Sequence, residues 1–265
     1  MAAMGKSAAL RPFPLARRPL CPNLMAGAET SGGFGPKAYD EAYPAVADAL
    51  TLRLLRKPAQ FVTQRAMHAG TPTWVLVACE ALLALLVFAL FWKGRYWPGL
   101  LVAVAVMIAD VTAFMLARLS HAPRGANRSR LALEIVEPLL WWWAWEHGLT
   151  AYGKPLEPIY ATMVLWVVVG GTIAIRAVEA LAQLRFNGME LHAWQPLDTR
   201  FRLVSASRNT NLVILAAALL FGRPESGLVL VAWWTLISLI FHSVRLAQLT
   251  ERQARRVKIG SWLDQ

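Results

Sequence analysis

Apolar and basic segments alternate along this chain from residue 74 onward. Six apolar runs have about the 20 residues that a helix needs to cross a hydrocarbon core of roughly 30 Å. They cover residues 74–92, 98–119, 131–149, 158–180, 201–221 and 227–247. The fifth run is the weakest of the six, because its first half is polar. The pattern therefore predicts an all-α, polytopic membrane protein with six transmembrane helices.

The remaining residues are predicted as three further segments. Residues 51–73 place apolar side chains at helical spacing among Arg53, Arg56 and Lys57, which is typical of an amphipathic juxtamembrane helix, here broken at Pro58. A helix packed on its own bundle is the other interpretation, and the two are compatible. Residues 1–50 are rich in Ala, Gly, Pro and Arg, so we expect a disordered or weakly ordered tail. Residues 74–247 then form the six-helix domain, and residues 248–265 form a basic cytoplasmic tail.

Basic residues set the predicted orientation in the membrane. With both termini in the cytoplasm, the opposite side carries only Lys93, Arg95, Lys154 and Arg223, as the positive-inside rule favours. The net charge of +11 then indicates contact with anionic lipid rather than with nucleic acid. The 12 Trp residues, several of them near the outer helix ends, suit interfacial aromatic belts. A bacterial inner membrane is the expected location, since no mitochondrial targeting signal is evident.

The cysteine and histidine residues do not indicate a metal site, and the glycine residues indicate close helix packing. Cys21 and Cys79 make neither a disulfide framework nor a metal site. The 5 His residues show no ligand spacing, so each is predicted as a loop or interfacial residue. Two stretches of small residues, Gly170 with Gly171 and residues 216–218, favour close helix crossings.

Residues 110–138 carry the candidate chemistry. Asp110 lies inside one predicted helix, Glu134 and Glu137 lie inside the next, and a short basic turn separates the two helices. An ionisable residue at membrane depth costs about 2.5–3.5 kcal/mol or more. Each of these three acids is therefore a candidate functional residue.

Structural ion pairs are the alternative for the acids in the predicted helices. The candidate pairs are Asp110 with Arg118 or Arg176, Glu134 and Glu137 with the basic turn or the Arg208 region, and Glu80 or Glu179 with Arg176. Buried pairs of this kind fix helix register more than they add stability.

The polar run at residues 205–211 has two interpretations. Arg208 can be an anion ligand in a headgroup or phosphate pocket at the start of the fifth helix. The same run is equally a helix start with ordinary caps. Both interpretations remain open at the level of the sequence.

The residues around Asp110 resemble the signature of the CDP-alcohol phosphatidyltransferase family. That signature reads Asp-x-x-Asp-Gly-x-x-Ala-Arg, then eight residues, then Gly-x-x-x-Asp-x-x-x-Asp. Aligned without a gap, its first half keeps Asp110, Ala117 and Arg118, whereas Ala113 and Phe114 stand at the second Asp and the Gly. The resemblance extends over residues 57–265.

The second half of the signature fits with three extra residues in the loop. Arg130 then falls at the Gly, Glu134 at the third Asp and Pro138 at the last Asp. Glu137 lies one residue from that last position, where the family has its general base. The resemblance thus implies Asp110 and Glu134 as metal ligands, Glu137 as the remaining candidate base, and Arg118 and Arg208 as ligands of substrate phosphates.

The resemblance also implies the fold and the partners. Members of the family have a juxtamembrane helix and six spans, are usually homodimers, and act at the cytoplasmic ends of the second and third spans. They use Mg²⁺ or Mn²⁺ to move a phosphatidyl or related group from a CDP-linked lipid donor to an alcohol.

Two functions are therefore expected to compete. One is such a transferase of phospholipid biosynthesis. The other is a catalytically inactive homologue without a metal cofactor, which binds membrane lipids or serves as a structural subunit of a larger membrane assembly. The absence of a ligand oxygen at Ala113 and Pro138 favours the second function.

Overall fold

The computed structural model describes Tyr39, Ala42 and residues 48–120, 124–186 and 188–255, apart from the side chains of 124–131 and 134. Regular structure in these ranges is entirely helical, which confirms the predicted all-α class. A π-helical turn, Thr51–Leu55, precedes α1, and a 3-10 turn, Leu191–Ala193, precedes α6. The helices are α1 (Arg56–His68), α2 (Thr73–Trp92), α3 (Tyr96–Leu119), α4 (Arg124–Tyr152), α5 (Pro158–Arg185), α6 (Pro196–Arg202), α7 (Arg208–Leu220) and α8 (Pro224–Ala254).

Four helices in the described ranges, α2, α3, α5 and α8, are long and apolar enough to cross a membrane. Large apolar side chains on all four, among them Leu82, Leu101, Trp166 and Ile240, are exposed on the surface of the isolated chain. Apolar surface of this extent needs lipid or another protein to cover it. These helices support an integral membrane protein, whereas the full count of six spans stays a prediction.

The fifth predicted span differs from the helices of the structure. Residues 201–221 do not form one helix, because α6 ends at Arg202 and α7 begins only at Arg208. The intervening residues form turns, and α7 has 13 residues. The polar half of the run thus starts a helix, which is the second interpretation of residues 205–211. The third predicted span, 131–149, lies within the 29-residue helix α4.

Helix α1 corrects the predicted break at Pro58. The chain is helical on both sides of this residue, and α1 begins two residues before it. Pro58 therefore lies within a continuous helical stretch, three residues after the π-helical turn ends, and a local change of helix type takes the place of a break. Ala59, Thr63 and Ala66 form its buried stripe, and α1 packs mainly on α3. This packing fits the interpretation of α1 as a helix on its own bundle.

The ends of the chain are described only in part. Tyr39 and Ala42, within the predicted tail, are buried in a cluster with Ala59, Val111 and Met115. The other residues before 48 lie outside the described part of the chain, as do residues 256–265 of the predicted basic tail. Helix α8 itself continues to Ala254, beyond the predicted start of that tail.

Buried aromatic residues join α2, α3 and α4. Trp141, Trp142 and Trp145 have almost no exposed surface, so for these three the predicted interfacial role is wrong. Phe91 of α2 packs edge-on against Trp145, with 5.0 Å between ring centroids. The Trp141 Nε1–H donates to the Ala84 carbonyl at 3.1 Å, which satisfies the polar group that burial would otherwise leave unbonded. These rings belong to one buried apolar cluster that joins the three helices.

The predicted close helix crossings are confirmed at two positions. A Cβ on Gly171 would lie 2.6 Å from the Thr235 Cγ2 on α8. A Cβ on Gly227 would lie 2.7 Å from the Cβ of Ala218 on α7. At such distances no side chain fits, so α8 lies close against both α5 and α7.

Candidate functional site

Arg208 occupies the first position of α7, and its neighbours hold this helix end in place. Ser207 caps the helix through its Oγ, which accepts a hydrogen bond from the Thr210 N–H at 3.2 Å. The Asn209 Nδ2 donates to the Asp48 Oδ2 and to the Thr51 Oγ1, each at 2.9 Å. The start of α7 is thereby tied to the segment before α1, and the backbone of Arg208 is fixed between the two.

The guanidinium of Arg208 bridges acids from two other helices. Its Nη1 donates to the Glu137 Oε2 on α4 at 2.6 Å, and its Nη2 donates to the Asp110 Oδ2 on α3 at 2.9 Å. Glu80 of α2 adds a third carboxylate, with its Oε1 3.9 Å from the Arg208 Nη1. The exposed fractions of the side chains are 7% for Arg208, 3% for Glu137 and 15% for Asp110. Four helices therefore share one buried charge cluster, which we call the Arg208 cluster.

The Arg208 cluster brings together some of the predicted site residues and leaves others out. Asp110, Glu137 and Arg208 meet, so the predicted pairing of Glu137 with the Arg208 region is confirmed, whereas Asp110 binds Arg208, which was not among the partners predicted for it. Arg118 lies two turns farther along α3, where its exposed guanidinium stacks over the Phe114 ring at 5.4 Å. Glu134 belongs to α4, but its side chain is outside the described residues.

The signature positions that lack ligands lie in or beside the core. Ala113 is fully buried and Pro138 is buried within α4, so neither offers an oxygen to a cation. Asp110 and Glu137 already share the cation of Arg208. A divalent ion would have to displace the guanidinium from both carboxylates. The arrangement of the described side chains does not fit a two-metal centre.

A second polar cluster, which we call the Glu179 cluster, lies where α5, the 3-10 turn and α8 meet. The Glu179 Oε2 accepts from the Arg176 Nη1 at 3.2 Å, so this predicted ion pair is confirmed, whereas Glu80 belongs to the Arg208 cluster. The Glu179 Oε1 lies 2.9 Å from the His192 Nε2 and 3.9 Å from the His242 Nε2. Both His residues are buried. The predicted loop or interfacial position is therefore wrong for His242, which lies within α8, whereas His192 does lie in the connection between α5 and α6.

Sequence reasoning found the Arg176–Glu179 pair but missed its two His neighbours, because they come from other elements of the chain. One signal was present for His242, which lies in the middle of an apolar helix and must therefore face a polar partner. Nothing in the spacing of His192 pointed to Glu179, since the turn that carries it folds back onto α5.

A third polar group joins α6 to α8. The Arg245 Nε and Nη2 donate to the Asp198 Oδ1 and Oδ2 at 2.5 and 2.8 Å, a bidentate pair in which both residues are buried. The guanidinium of Arg245 also lies 4.2 Å from the ring centroid of Trp194. A surface cleft of about 450 Å³ opens beside this pair. It is lined by Trp194, Gln195, Arg245, Gln248, Glu251, Arg252 and Arg255.

No family model matches this chain, and no curated protein matches it.

Proposed function

We propose that this protein is a catalytically inactive membrane protein of the CDP-alcohol phosphatidyltransferase type, which serves as a structural or lipid-binding subunit of a membrane assembly. The observation that carries the proposal is the guanidinium of Arg208, hydrogen-bonded at once to Asp110 and Glu137. A transferase of this type needs its acids for divalent ions on the donor pyrophosphate. Here the carboxylates of Asp110 and Glu137 bind the guanidinium of Arg208 instead.

The energetics of phosphoryl transfer support inactivity. Bound metal ions stabilise the charge of the transition state by several kcal/mol, and a chain without them forgoes that stabilisation. The lost signature residues compound the effect, because Ala113 supplies no ligand and Pro138 supplies no base. An arginine held by two acids has a structural use instead. It fixes the register of α3, α4 and α7 against one another.

The cleft beside Arg245 supports the lipid-binding part of the proposal. Arg252 and Arg255 line it, and the Arg252 guanidinium lies 5.1 Å from the Trp194 ring centroid. Arginine side chains bind phosphate in a planar, bidentate manner, and Trp is frequent at the level of lipid headgroups. The proposal includes six spans, a homodimer or larger assembly, and both termini in the cytoplasm of a bacterial inner membrane.

Release of CMP tests the absence of transferase activity. The purified full-length chain in lipid nanodiscs receives CDP-diacylglycerol, a mixture of alcohols, and Mg²⁺ or Mn²⁺. We expect CMP release equal to that of empty nanodiscs, for both the wild type and Asp110→Asn. Metal-dependent release by the wild type that Asp110→Asn abolishes would overturn the proposal and establish the transferase instead.

Purification from the native membrane tests the subunit role. In mild detergent we expect a particle heavier than a homodimer, together with anionic lipid that remains bound through the column. A particle with the mass of a homodimer and no bound lipid would count against both roles.

A further inference from the structure

The Glu179 cluster has the donor atoms of a metal site. One ligand atom each from Glu179, His192 and His242 lies within 4.8 Å of the other two. The three residues come from α5, the 3-10 turn and α8, so an ion between them would join three elements. The cluster shares no residue with the Arg208 cluster, and its role is independent of the function proposed above.

His242 is oriented with a free nitrogen toward Glu179. Its Nδ1 lies 2.6 Å from the Ser238 carbonyl, and because a carbonyl only accepts, the proton of this bond belongs to Nδ1. The Nε2 is buried and forms no hydrogen bond with any residue that the structure describes. It lies 3.9 Å from the Glu179 Oε1, which is also an acceptor. Two acceptors that face each other in a buried site are best satisfied by a cation between them.

The neighbours of Glu179 prepare its carboxylate for a ligand role. Arg176 binds the Oε2 at 3.2 Å and leaves the Oε1 toward the two His rings. Such an outer partner orients a ligating carboxylate, as does the backbone carbonyl that holds the other nitrogen of His242. The His192 Nε2 lies 2.9 Å from the same Oε1, so a metal ion would replace the proton they share.

Arg202 is the competing cation at this site. Its Nη1 lies 4.0 Å from the Glu179 Oε1, which is too long for a hydrogen bond. Its side chain is 17% exposed and its Nη1 also donates weakly to the Ser205 Oγ at 3.4 Å. Arg202 therefore has another partner in Ser205. Because its side chain is partly exposed, it can move away from the carboxylate when an ion binds.

The donor set and the distances select the class of metal. Two imidazole nitrogens and one carboxylate oxygen suit zinc and related first-row ions, whereas Mg²⁺ and Ca²⁺ prefer oxygen ligands. Zinc–ligand bonds of 2.0–2.2 Å at tetrahedral angles place ligand atoms about 3.3 Å apart. The two separations from the Glu179 Oε1, 2.9 and 3.9 Å, bracket this value, and the two His ligand atoms lie within 4.8 Å of each other. Small rotations of the side chains would complete the geometry.

We infer that Glu179, His192 and His242 bind one transition-metal ion, with Zn²⁺ as the best match. The ion fastens the connection between α5 and α6 to helix α8. Three protein ligands leave a fourth position for water, as in zinc sites that keep an open coordination position.

Cobalt binding tests the site. The full-length chain, purified in detergent and treated with a chelator, is titrated with Co²⁺ while its visible absorption is followed. We expect saturation at one ion per chain with the strong absorption of tetrahedral cobalt, and displacement of that signal by Zn²⁺. His192→Gln and His242→Gln should each weaken binding by at least about 10–100-fold, the loss that follows removal of even an outer-shell partner. His68→Gln is the matched control, because His68 is exposed on α1.

The outcomes decide the inference in either direction. It is overturned if the wild type shows no saturable cobalt signal, or if both cluster variants bind as tightly as His68→Gln. If a cluster variant fails to fold, X-ray absorption of the zinc-loaded wild type decides instead. Two imidazoles in the zinc shell support the inference, and a shell without imidazole refutes it.

Discussion

Replacing Arg208 with methionine removes the shared cation of the Arg208 cluster while keeping most of the side-chain volume. Glu137 would lose the bond at 2.6 Å and Asp110 the bond at 2.9 Å. Glu80 would lose the cation that lies 3.9 Å away. The variant therefore tests whether three acids from three helices depend on one arginine.

The expected cost follows from the burial of these groups. Breaking a buried ion pair by removing one partner costs about 3–5 kcal/mol, because the remaining charge stays out of water. Glu137, 3% exposed, should contribute most of this cost, while Asp110, 15% exposed, retains some contact with solvent. At about 2–4 °C per kcal/mol, Arg208→Met should lower the unfolding midpoint by roughly 6–20 °C.

Tryptophan fluorescence during heating at a fixed rate measures this midpoint in detergent. Trp141, whose ring centroid lies 5.9 Å from the Arg208 guanidinium, is one of the 12 tryptophans that contribute to this signal. Arg118→Met serves as the matched control, because Arg118 is an exposed arginine on α3. We expect its midpoint to remain close to that of the wild type.

Removing the two hydrogen-bonded carboxylates together with Arg208 separates the lost ion pairs from lost packing. The triple variant Asp110→Asn, Glu137→Gln and Arg208→Met should recover more than half of the lost stability, since neutral replacements of a buried ion pair are often tolerated. The reasoning is refuted if Arg208→Met unfolds within about 2 °C of the wild type, which corresponds to less than 1 kcal/mol. It is also refuted if the triple variant is no more stable than Arg208→Met alone.

Three further predictions concern the rest of the fold. Gly171→Ala should destabilise by about 1–3 kcal/mol through overpacking, because its Cβ would lie 2.6 Å from Thr235, whereas Gly170→Ala, which faces open space, should be neutral or stabilising in the same thermal assay. Asp198→Asn should cost about 3–5 kcal/mol by leaving the Arg245 guanidinium without its bidentate partner, and an unchanged midpoint would contradict that ion pair. Zinc at 100 times its dissociation constant should raise the free energy of unfolding by about 2.7 kcal/mol, and an excess of chelator should reverse the shift.

Most of the helical elements followed from local patterns in the sequence. In a membrane, an apolar run of sufficient length forms a helix whatever it packs against, because every backbone hydrogen bond is made within the segment. The bounds of α2 and α3 accordingly lie within two residues of the predicted runs. The polar first half of the fifth run made it the least certain span, and in the structure the helix is interrupted there, before α7.

The outcome at Pro58 and at the buried tryptophans depended on packing. Pro58 predicted a break in the helix, but in the structure a π-helical turn precedes α1 and the chain stays helical through Pro58. Trp141 and Trp145 have the composition of an interfacial belt, yet they turn inward because Phe91 and backbone carbonyls offer them partners. Such choices involve residues far apart along the chain.

The candidate site divides in the same way. From the sequence alone, Asp110 and Glu137 are recognisable as acids within apolar helices, each of which needs a polar partner. The choice of Arg208 as that partner depends on how the helices assemble, since several arginines satisfy the same local rules. The same holds for His192 and His242, which meet Glu179 only once α5, the 3-10 turn and α8 are assembled. Helices form from local hydrogen bonds, whereas the pairing of buried charges depends on which helix faces meet, and that is a property of the whole bundle.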